Sequence, residues 1–422
     1  MIYIDCTSTN AINALTGIQR VVYNLVSQMQ TSDDMRETTR LTILSSKGFV
    51  PLESLRPHQY TVPATETTSQ VDHLKMKYFD RFKLFLRKSP LVYKVAKKVF
   101  FTFKRVFAKG CSEEKVIHFT PNDTLLFLDA TWSMPIWDEV KRAKEAGSKI
   151  IFVIYDLIPI RFSQFCDVDH REEFIEFIKH SLDYADGYIG ISKSVMHDMQ
   201  AYAKEINHPR ADRITYDYFY LGANFSDENK EESHTIRDEI VNFFNDDTPV
   251  FLTVSTIEPR KNHAIILDAL DALWKQDKKV KLCFIGKVGW KIQDFMHRVK
   301  THKELSKQFL VIHDATDAEL CFAYKNAHSL IFASIAEGFG LPIIEALHYK
   351  LPVLASNIEV HREIGGDAIA YFESNSMASL LLCLEHTLAN PPSCQQNNGW
   401  LTWAQSATML WNKIKTLELK VT

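Results

Sequence analysis

Short apolar runs alternate with stretches of helical spacing along the second half of the chain. Runs rich in β-forming residues predict strands at 249–255, 280–286, 309–313, 329–333 and 352–355, and the segments between them space their apolar residues as helices do. Strands that are apolar throughout belong to sheets with both faces covered, and their alternation with helices favours parallel pairing. The second half is therefore expected to be an α/β domain on a parallel sheet.

The first half shows the same alternation with longer interruptions. Strands are predicted at 2–5, 41–45, 124–128, 149–154 and 187–191, and helices at 17–30, 135–146, 170–184 and 193–206. A polar, acidic stretch at 226–247 indicates a linker between an N-terminal domain, 1–225, and a C-terminal domain, 248–395. The last segment, 396–422, contains a tryptophan-rich helix that packs either on its own domain or back on the first.

Composition agrees with two globular domains. The chain has 422 residues, 46% of them hydrophobic, which is enough for two cores, and its net charge of −3 gives no reason to expect nucleic acid as a partner. Seven cysteines, an odd number without any C-x-x-C pair, indicate free thiols in a reducing compartment. The start of the chain lacks the features of a signal peptide, and no apolar run reaches about 18 residues. We therefore expect a cytoplasmic protein without a transmembrane helix or metal site.

The stretch 75–109 differs from the rest because it holds twelve Lys or Arg against a single acid, Asp80. Pro90 divides it into two predicted helices whose apolar residues share one face, which is typical of helices lying flat on an anionic membrane. The predicted membrane contacts are Lys83, Phe85, Arg87, Lys97, Lys98, Phe103, Lys104 and Arg105. Two alternatives remain open: a solvated basic face over a packed apolar stripe, and a docking face for nucleic acid.

A basic pair, Arg260 and Lys261, lies in the segment 255–263 between a predicted strand and a predicted helix. Such a loop lies at the carboxyl end of a parallel sheet, where open α/β folds bind ligands. Two cations beside a helix N-terminus suit an anion such as a diphosphate. An exposed basic pair without a ligand is the alternative.

The segment 337–345 places two carboxylates, Glu337 and Glu345, on either side of a glycine-containing loop. Gly338 and Gly340 allow a sharp turn and close approach of a ligand, and Pro342 suits the start of a helix. We expect Glu345 in the first turn of that helix. Carboxylates accept hydrogen bonds from sugar hydroxyls, and free backbone N–H groups bind phosphate oxygens.

The segment 337–345 resembles the E-x7-E motif of the retaining glycosyltransferases of family 4, which have the GT-B fold. Other segments resemble the same family, namely 16–20, 155–159, 190–193, 221–223, 257–262 and 365–368. The resemblance implies two Rossmann-like domains whose parallel sheets face each other across a cleft. The N-terminal domain would bind the acceptor and the C-terminal domain the nucleotide-sugar donor.

Donor-binding roles follow from the same resemblance. It implies that Glu345 binds the ribose hydroxyls, that Glu337 binds hydroxyls of the donor sugar, and that Lys261 neutralises the diphosphate. The backbone N–H groups of Gly338, Phe339 and Gly340 would help at the sugar, and Gly17 would let the N-terminal loop approach the phosphates.

Two departures from the family pattern concern Arg260 and Asp156. Many members have an arginine where Thr256 stands, and Arg260 is the candidate to replace it. Many members have histidine at the position of Tyr155, so the acceptor-side hydrogen bond is open. Asp156 is the N-terminal carboxylate expected to take part in catalysis, together with Glu337 and Lys261.

The activity implied is transfer of a hexose, with retention of configuration, to a hydroxyl of a lipid-linked glycan in bacterial O-antigen or capsule synthesis. GDP-mannose is the favoured donor, with UDP-hexose or dTDP-rhamnose as alternatives. The sequence also leaves open a UDP-sugar epimerase-like enzyme and a non-catalytic membrane scaffold for polysaccharide assembly. The expected partners are the nucleotide sugar, the lipid-linked acceptor and the anionic inner face of the plasma membrane, with no cofactor, metal or nucleic acid.

Overall fold

The first sheet has seven strands. They are β1 (Ile2–Asp5), β2 (Thr39–Leu44), β3 (Phe49–Leu52), β4 (Thr124–Phe127), β5 (Lys149–Ile154), β6 (Gly187–Gly190) and β7 (Thr215–Tyr218). Their order is β3-β2-β1-β4-β5-β6-β7, and every pair is parallel except β2 with β3. All four residues of β4 are buried, as expected for a central strand covered on both faces.

These elements come from a computed structural model that describes residues 1–11, 17–55, 116–223, 236–390 and 400–420. The basic stretch 75–109, with all eight predicted membrane contacts, lies outside the described residues. Positions 224–235 of the expected domain boundary lie outside them as well. Among the helices that are described, none is both long and apolar enough to span a bilayer.

Helices cover both faces of the first sheet. They span Thr7–Ala11, Gly17–Thr31, Asp33–Thr38, Trp137–Glu145, Ile158–Arg161, Val168–Tyr184 and Lys193–Glu205. The helix Gly17–Thr31 buries Val21, Val22, Leu25, Val26 and Met29. These positions recur every three to four residues, so they share one face and pack against the sheet.

The second sheet has six strands, all parallel. They are β8 (Val250–Val254), β9 (Lys281–Ile285), β10 (Phe309–Ile312), β11 (Ser329–Phe332), β12 (Val353–Ser356) and β13 (Ala370–Phe372), in the order β10-β9-β8-β11-β12-β13. The helices around it span Asp238–Phe244, His263–Lys275, Gln293–Lys300, Asp317–Asn326, Leu341–His348, Glu359–Gly365 and Met377–Ala389. Strand order reverses between β8 and β11, and ligands of open α/β sheets bind at such points.

The C-terminal helix, Trp403–Lys420, crosses back to the first domain and packs on the helix Gly17–Thr31 and on β7. The Ser406 hydroxyl donates to the Tyr220 carbonyl at 2.7 Å, and Lys413 pairs with Asp217 at 2.7 Å. Its buried face consists of Trp403, Ser406, Ala407, Leu410, Ile414 and Leu417. The tryptophan-rich helix therefore covers the first sheet and not its own domain.

The α/β class and the two sheets expected from the sequence are confirmed, with local differences. Sequence patterns did not predict β3, β7 or β13, and β3 makes an antiparallel edge in an otherwise parallel sheet. The polar stretch 226–247 contains the helix Asp238–Phe244, which buries Ile240, Phe243 and Phe244. Three apolar residues among many acidic ones are enough for this short helix to dock.

Candidate functional site

The loop after β8 carries the basic pair to the carboxyl edge of the second sheet. Pro259–Lys261 forms one short 3₁₀ turn, and Asn262 follows with a φ of 56°. Asparagine tolerates this left-handed conformation better than most residues, so the chain can change direction before the helix His263–Lys275 begins. The turn holds Arg260 and Lys261 side by side next to the loop that follows β11.

The loop after β11 needs glycine at two positions for different reasons. Gly340 has a φ of 108°, which residues with a side chain rarely adopt. A Cβ at Gly338 would lie 1.9 Å from the carbonyl oxygen of Tyr155, so only glycine lets the N-terminal domain approach this closely. The close contact brings the peptide before Asp156 against the donor-side loop.

Four charged side chains meet at this edge and form the donor-side charge cluster: Glu258, Arg260, Lys261 and Glu337. Glu337 accepts from Lys261 Nζ through one oxygen and from Arg260 Nη1, at 2.9 Å, through the other. Arg260 Nη2 also donates to Glu258 Oε1 at 2.6 Å, and Arg260 Nη1 donates to the Ala336 carbonyl at 2.6 Å. The side chains of Arg260, Lys261 and Glu337 are only 10–16% exposed, so these charges meet out of bulk solvent.

Burial and charge act in opposite directions on this cluster. Burial alone would raise the pKa of Glu337, but the charges of Lys261 and Arg260 outweigh it and hold the pKa far below its usual range. Burial lowers the pKa of Lys261 despite the attraction of Glu337. Burial raises the pKa of Glu258 although Arg260 and Lys261 oppose the shift. Glu337 is therefore a fixed anion that can accept hydrogen bonds from hydroxyl groups.

Glu345 lies deeper, and its predicted place in the first turn of the helix is wrong. The helix starts at Leu341, immediately after the left-handed Gly340, so Glu345 is its fifth residue. The Tyr324 hydroxyl donates to Glu345 Oε2 at 2.8 Å, and Arg20 Nη1 of the N-terminal domain lies 3.3 Å from Glu345 Oε1. Glu345 therefore takes part in an ion pair across the cleft rather than interacting with the helix N-terminus.

Gly17 is the first residue of the helix that also carries Arg20. A Cβ at Gly17 would meet no described heavy atom within 4 Å, so the described contacts do not require glycine there. Residues 12–16, which precede it, lie outside the described part of the chain. The structure places Gly17 one turn before Arg20, on the side of the cleft opposite Glu345.

Asp156 lies where the two domains touch. Its Oδ1 accepts the Ile158 N–H at 2.9 Å, and an ideal Cβ on Gly338 would lie 3.3 Å from its Cβ. Burial raises the pKa of Asp156, while the charges of Arg260 and Lys261 partly offset that shift. The structure thus brings Asp156 next to Glu337, Lys261 and Arg260, which are more than a hundred residues away in the sequence.

Hydrogen bonds between side chains of one domain and backbone groups of the other hold the domains together around this site. The Ser192 hydroxyl donates to the Gly338 carbonyl at 2.8 Å. Glu363 of the second domain accepts the backbone N–H groups of Lys193, at 2.6 Å, and Ser194, at 2.8 Å, at the start of a helix in the first. A carboxylate at a helix N-terminus is favourable, because the unpaired N–H groups and the helix dipole both attract it.

Sequence reasoning assigned no role to Arg20, Tyr324, Glu258 or Glu363. Arg20 stood in a segment already noted for its family resemblance, which was a usable signal. Tyr324 and Glu363 lie in ordinary helical patterns, so only the fold shows that they reach the cleft. Within the described ranges, no three His, Cys, Asp or Glu side chains are grouped so that they could hold a metal ion.

Comparison with known proteins relates the chain to glycosyltransferases. Residues 236–398 match the family described as Glycosyl transferases group 1. The chain is 31% identical over 308 residues to the serotype-specific mannosyltransferase WbdA of Escherichia coli, covering 71% of this chain and 38% of that protein. It is 25% identical over 152 residues to the O-antigen chain mannosyltransferase RfbU of Salmonella typhimurium, covering 36% and 42%. The matches thus span less than half the length of either relative.

Solved structures share the fold over nearly the whole chain. Sucrose-phosphate synthase from Thermosynechococcus elongatus is 14% identical with a TM-score of 0.59, covering 99% of both chains. A glycosyltransferase from Rickettsia africae is 14% identical with a TM-score of 0.57, covering 100% of this chain and 98% of that one. Anabaena HepE in complex with UDP-glucose is 15% identical with a TM-score of 0.56, covering 100% and 97%. The GT-B fold expected from the sequence is confirmed.

Proposed function

We propose that the protein is a retaining hexosyltransferase that moves mannose from GDP-mannose to a hydroxyl of a lipid-linked glycan during synthesis of a bacterial surface polysaccharide. The observation that carries this proposal is the buried Glu337, kept ionised between Lys261 and Arg260 at the carboxyl edge of the second sheet. The similarity to a serotype-specific and an O-antigen chain mannosyltransferase supports the donor and the class of product.

The donor-side charge cluster suits the departure of a nucleoside diphosphate. Negative charge grows on the phosphate oxygens as the bond to the sugar breaks, and fixed cations in a site of low polarity stabilise that charge. Lys261 and Arg260 supply these cations, and Glu337 accepts hydrogen bonds from hydroxyls of the donor sugar. Glu345 accepts hydrogen bonds from the ribose hydroxyls. Because two protein cations face the diphosphate, our proposal includes no metal cofactor.

The N-terminal domain supplies the acceptor side. Asp156 is the carboxylate of this domain that lies against the donor-side loop, and burial raises its pKa above the ordinary value of a carboxylate, which makes it a better proton acceptor. We assign it the acceptor-side role. The contacts made by Gly338 and Glu363 keep the domains closed over the site, which excludes water and limits hydrolysis of the donor.

A donor screen tests the proposal. We expect GDP-mannose to raise the melting temperature of the full chain more than UDP-glucose or dTDP-rhamnose does, and we expect mannose transfer to a glycan primer with an α linkage. The Glu337→Gln variant should lose turnover and keep its fold. If no nucleotide sugar stabilises the wild type, the protein is a scaffold, and if UDP-sugars turn over without an acceptor, it is an epimerase.

The basic stretch 75–109 is proposed to hold the enzyme on the inner face of the plasma membrane, near its lipid-linked acceptor. Twelve cations and interleaved aromatic residues support this location, at about 1 kcal/mol per basic side chain close to an anionic surface. A chain lacking 75–109 should no longer sediment with vesicles that contain anionic lipid. Unchanged sedimentation would rule the location out.

A further inference from the structure

A cavity of about 140 Å³ lies beside the donor-side charge cluster. Most of its described lining comes from the N-terminal domain, from β4, β5 and the segments that follow them. The second domain contributes two side chains, Arg260 and Trp290. Arg260 Nη1 also donates to Glu337 Oε2 at 2.9 Å, so one guanidinium borders both the cavity and the donor-side charge cluster. Whatever occupies the cavity therefore lies next to the sugar that is to be transferred.

The lining combines flat aromatic surfaces with a few polar groups. The Trp132 ring meets His170 edge to face at 5.8 Å and Phe174 at 5.9 Å. Trp132 is half-buried and His170 is exposed, so the cavity opens along this side. Asp156 lies on the wall nearest the donor-side loop. Aromatic walls with few, placed polar groups are typical of small-molecule sites.

Trp290 closes the cavity from the second domain. Its indole N–H donates to the Phe165 carbonyl at 2.7 Å, and the next residue, Lys291, donates to the Cys166 carbonyl at 2.6 Å. Both bonds cross between the domains. Trp290 as a whole is nevertheless 46% exposed, which is high for tryptophan in a packed interface and leaves surface free for a ligand.

We propose that this cavity binds the terminal pyranose of the acceptor glycan, with Trp132 as its stacking platform and specificity-determining residue. A pyranose has a face of C–H groups that packs on an aromatic ring and a rim of hydroxyls that needs acceptors such as Asp156. A long isoprenoid chain fits the geometry less well, because the space is small and is bordered by Asp156 and Arg260. The assignment of the occupant as an acceptor rests on the proposed function, whereas the binding of a pyranose does not.

The first test measures binding in the full chain by saturation-transfer NMR, with α-1,3-mannobiose as the probe and no donor present. We expect saturation of the sugar protons in the wild type, loss of the signal in Trp132→Ala and partial recovery in Trp132→Phe. Trp411→Ala is the matched control, since Trp411 is also half-buried but does not line the cavity. No signal in the wild type, or an equal signal in Trp132→Ala, overturns the proposal.

The second test separates this proposal from the proposed function. With GDP-mannose and mannobiose, Trp132→Ala should raise the KM for mannobiose at least tenfold and leave the KM for GDP-mannose and donor hydrolysis within twofold. A larger rise in the donor KM would assign the cavity to the donor sugar and overturn the inference. If farnesyl phosphate displaces mannobiose, the cavity binds lipid, and this result also overturns the inference. If the wild type binds mannobiose but not GDP-mannose, the proposed function fails while the pyranose site stands.

Discussion

Two buried carboxylates, Glu337 in the second domain and Asp5 in the first, have pKa values that are shifted in opposite directions. On the donor side, Glu337 has two cations in contact and its pKa falls. In the N-terminal domain, Asp5 ends β1 and Asp129 follows β4, and burial and the nearby Asp129 charge raise the pKa of Asp5 to about 7. Asp5 Oδ2 has no hydrogen-bond partner among the described residues. Both side chains are buried, so the two cations in contact with Glu337 account for the opposite direction of its shift.

The opposite pKa shifts go with two different roles of the carboxylates. In the donor-side charge cluster, the contacts with Lys261 and Arg260 keep Glu337 ionised, which is the charge that the proposed function requires there. The N-terminal acids position backbone: Asp129 accepts the Thr9 N–H at 2.6 Å and the Thr9 hydroxyl at 3.0 Å. They thereby hold the helix Thr7–Ala11, which precedes the segment leading to Gly17.

Removing the charge of Glu337 should have the largest effect. Glu337→Ala leaves Lys261 and Arg260 buried side by side with like charge, so we expect turnover to fall by about 10²–10³-fold and the free energy of unfolding to drop by about 3 kcal/mol. Steady-state kinetics measure the turnover, and urea unfolding measures the free energy of unfolding. The control is Glu205→Ala, which breaks an exposed pair with Arg161 and should change both little. Turnover within threefold of wild type would contradict the role of Glu337.

The second expectation concerns pH. Because the folded state binds the Asp5 proton more tightly than the unfolded chain, whose reference pKa is 3.8, Asp5 costs stability as the pH rises towards about 7. Asp5→Asn should remove that cost, so its stability relative to wild type should increase by about 3 kcal/mol between pH 5 and pH 8. Urea unfolding at both pH values measures the change. Asp33→Asn, at an exposed position, is the control, and parallel curves for Asp5→Asn and wild type would refute the raised pKa.

The third expectation tests the contact between the two regions. Gly338→Ala would place a methyl group against the Tyr155 carbonyl and force the domains apart, so we expect at least a tenfold loss of turnover while each domain keeps its fold. Ser192→Ala removes only the hydrogen bond to the Gly338 carbonyl and one helix cap, so its loss should stay within about threefold. Equal losses in the two variants would mean that close approach of the backbone is unimportant. Circular dichroism checks the fold of both.

The smallest effect is expected at Arg20, which joins the two regions. Its ion pair with Glu345 spans 3.3 Å, and the buried Glu345 keeps its hydrogen bond from Tyr324 when Arg20 is removed, so the loss of stability should be about 1 kcal/mol. Arg20→Ala should raise the donor KM about fivefold at nearly constant kcat, and Arg20→Lys should restore part of the affinity. Arg36→Ala, which loses an exposed pair with Asp33, should leave the KM unchanged. A changed kcat with a constant KM would argue against a role of the Arg20–Glu345 pair in donor binding.

Sequence patterns predicted the elements with strong periodicity and missed the weak ones. The strand Lys149–Ile154 is apolar at every position after its first and was predicted at its observed bounds. By contrast, Thr215–Tyr218 contains Asp217 and is only half-buried, so it lacks the apolar run from which the other strands were predicted. The three residues of β13 are too few to form a pattern. Edge strands bury less apolar surface, so their sequences carry less information about their position.

By itself the sequence determined the alternation of strands and helices, the two sheets and the loop that carries Glu337. Local spacing encodes these features, because periodicity and turn chemistry act within a few residues. Only the tertiary structure decided which groups meet: Arg260 with Glu337, Arg20 with Glu345, and Gly338 with the backbone of Tyr155. Those pairs are 77 or more positions apart, so the packing of whole sheets and domains, and no local pattern, brings them into contact.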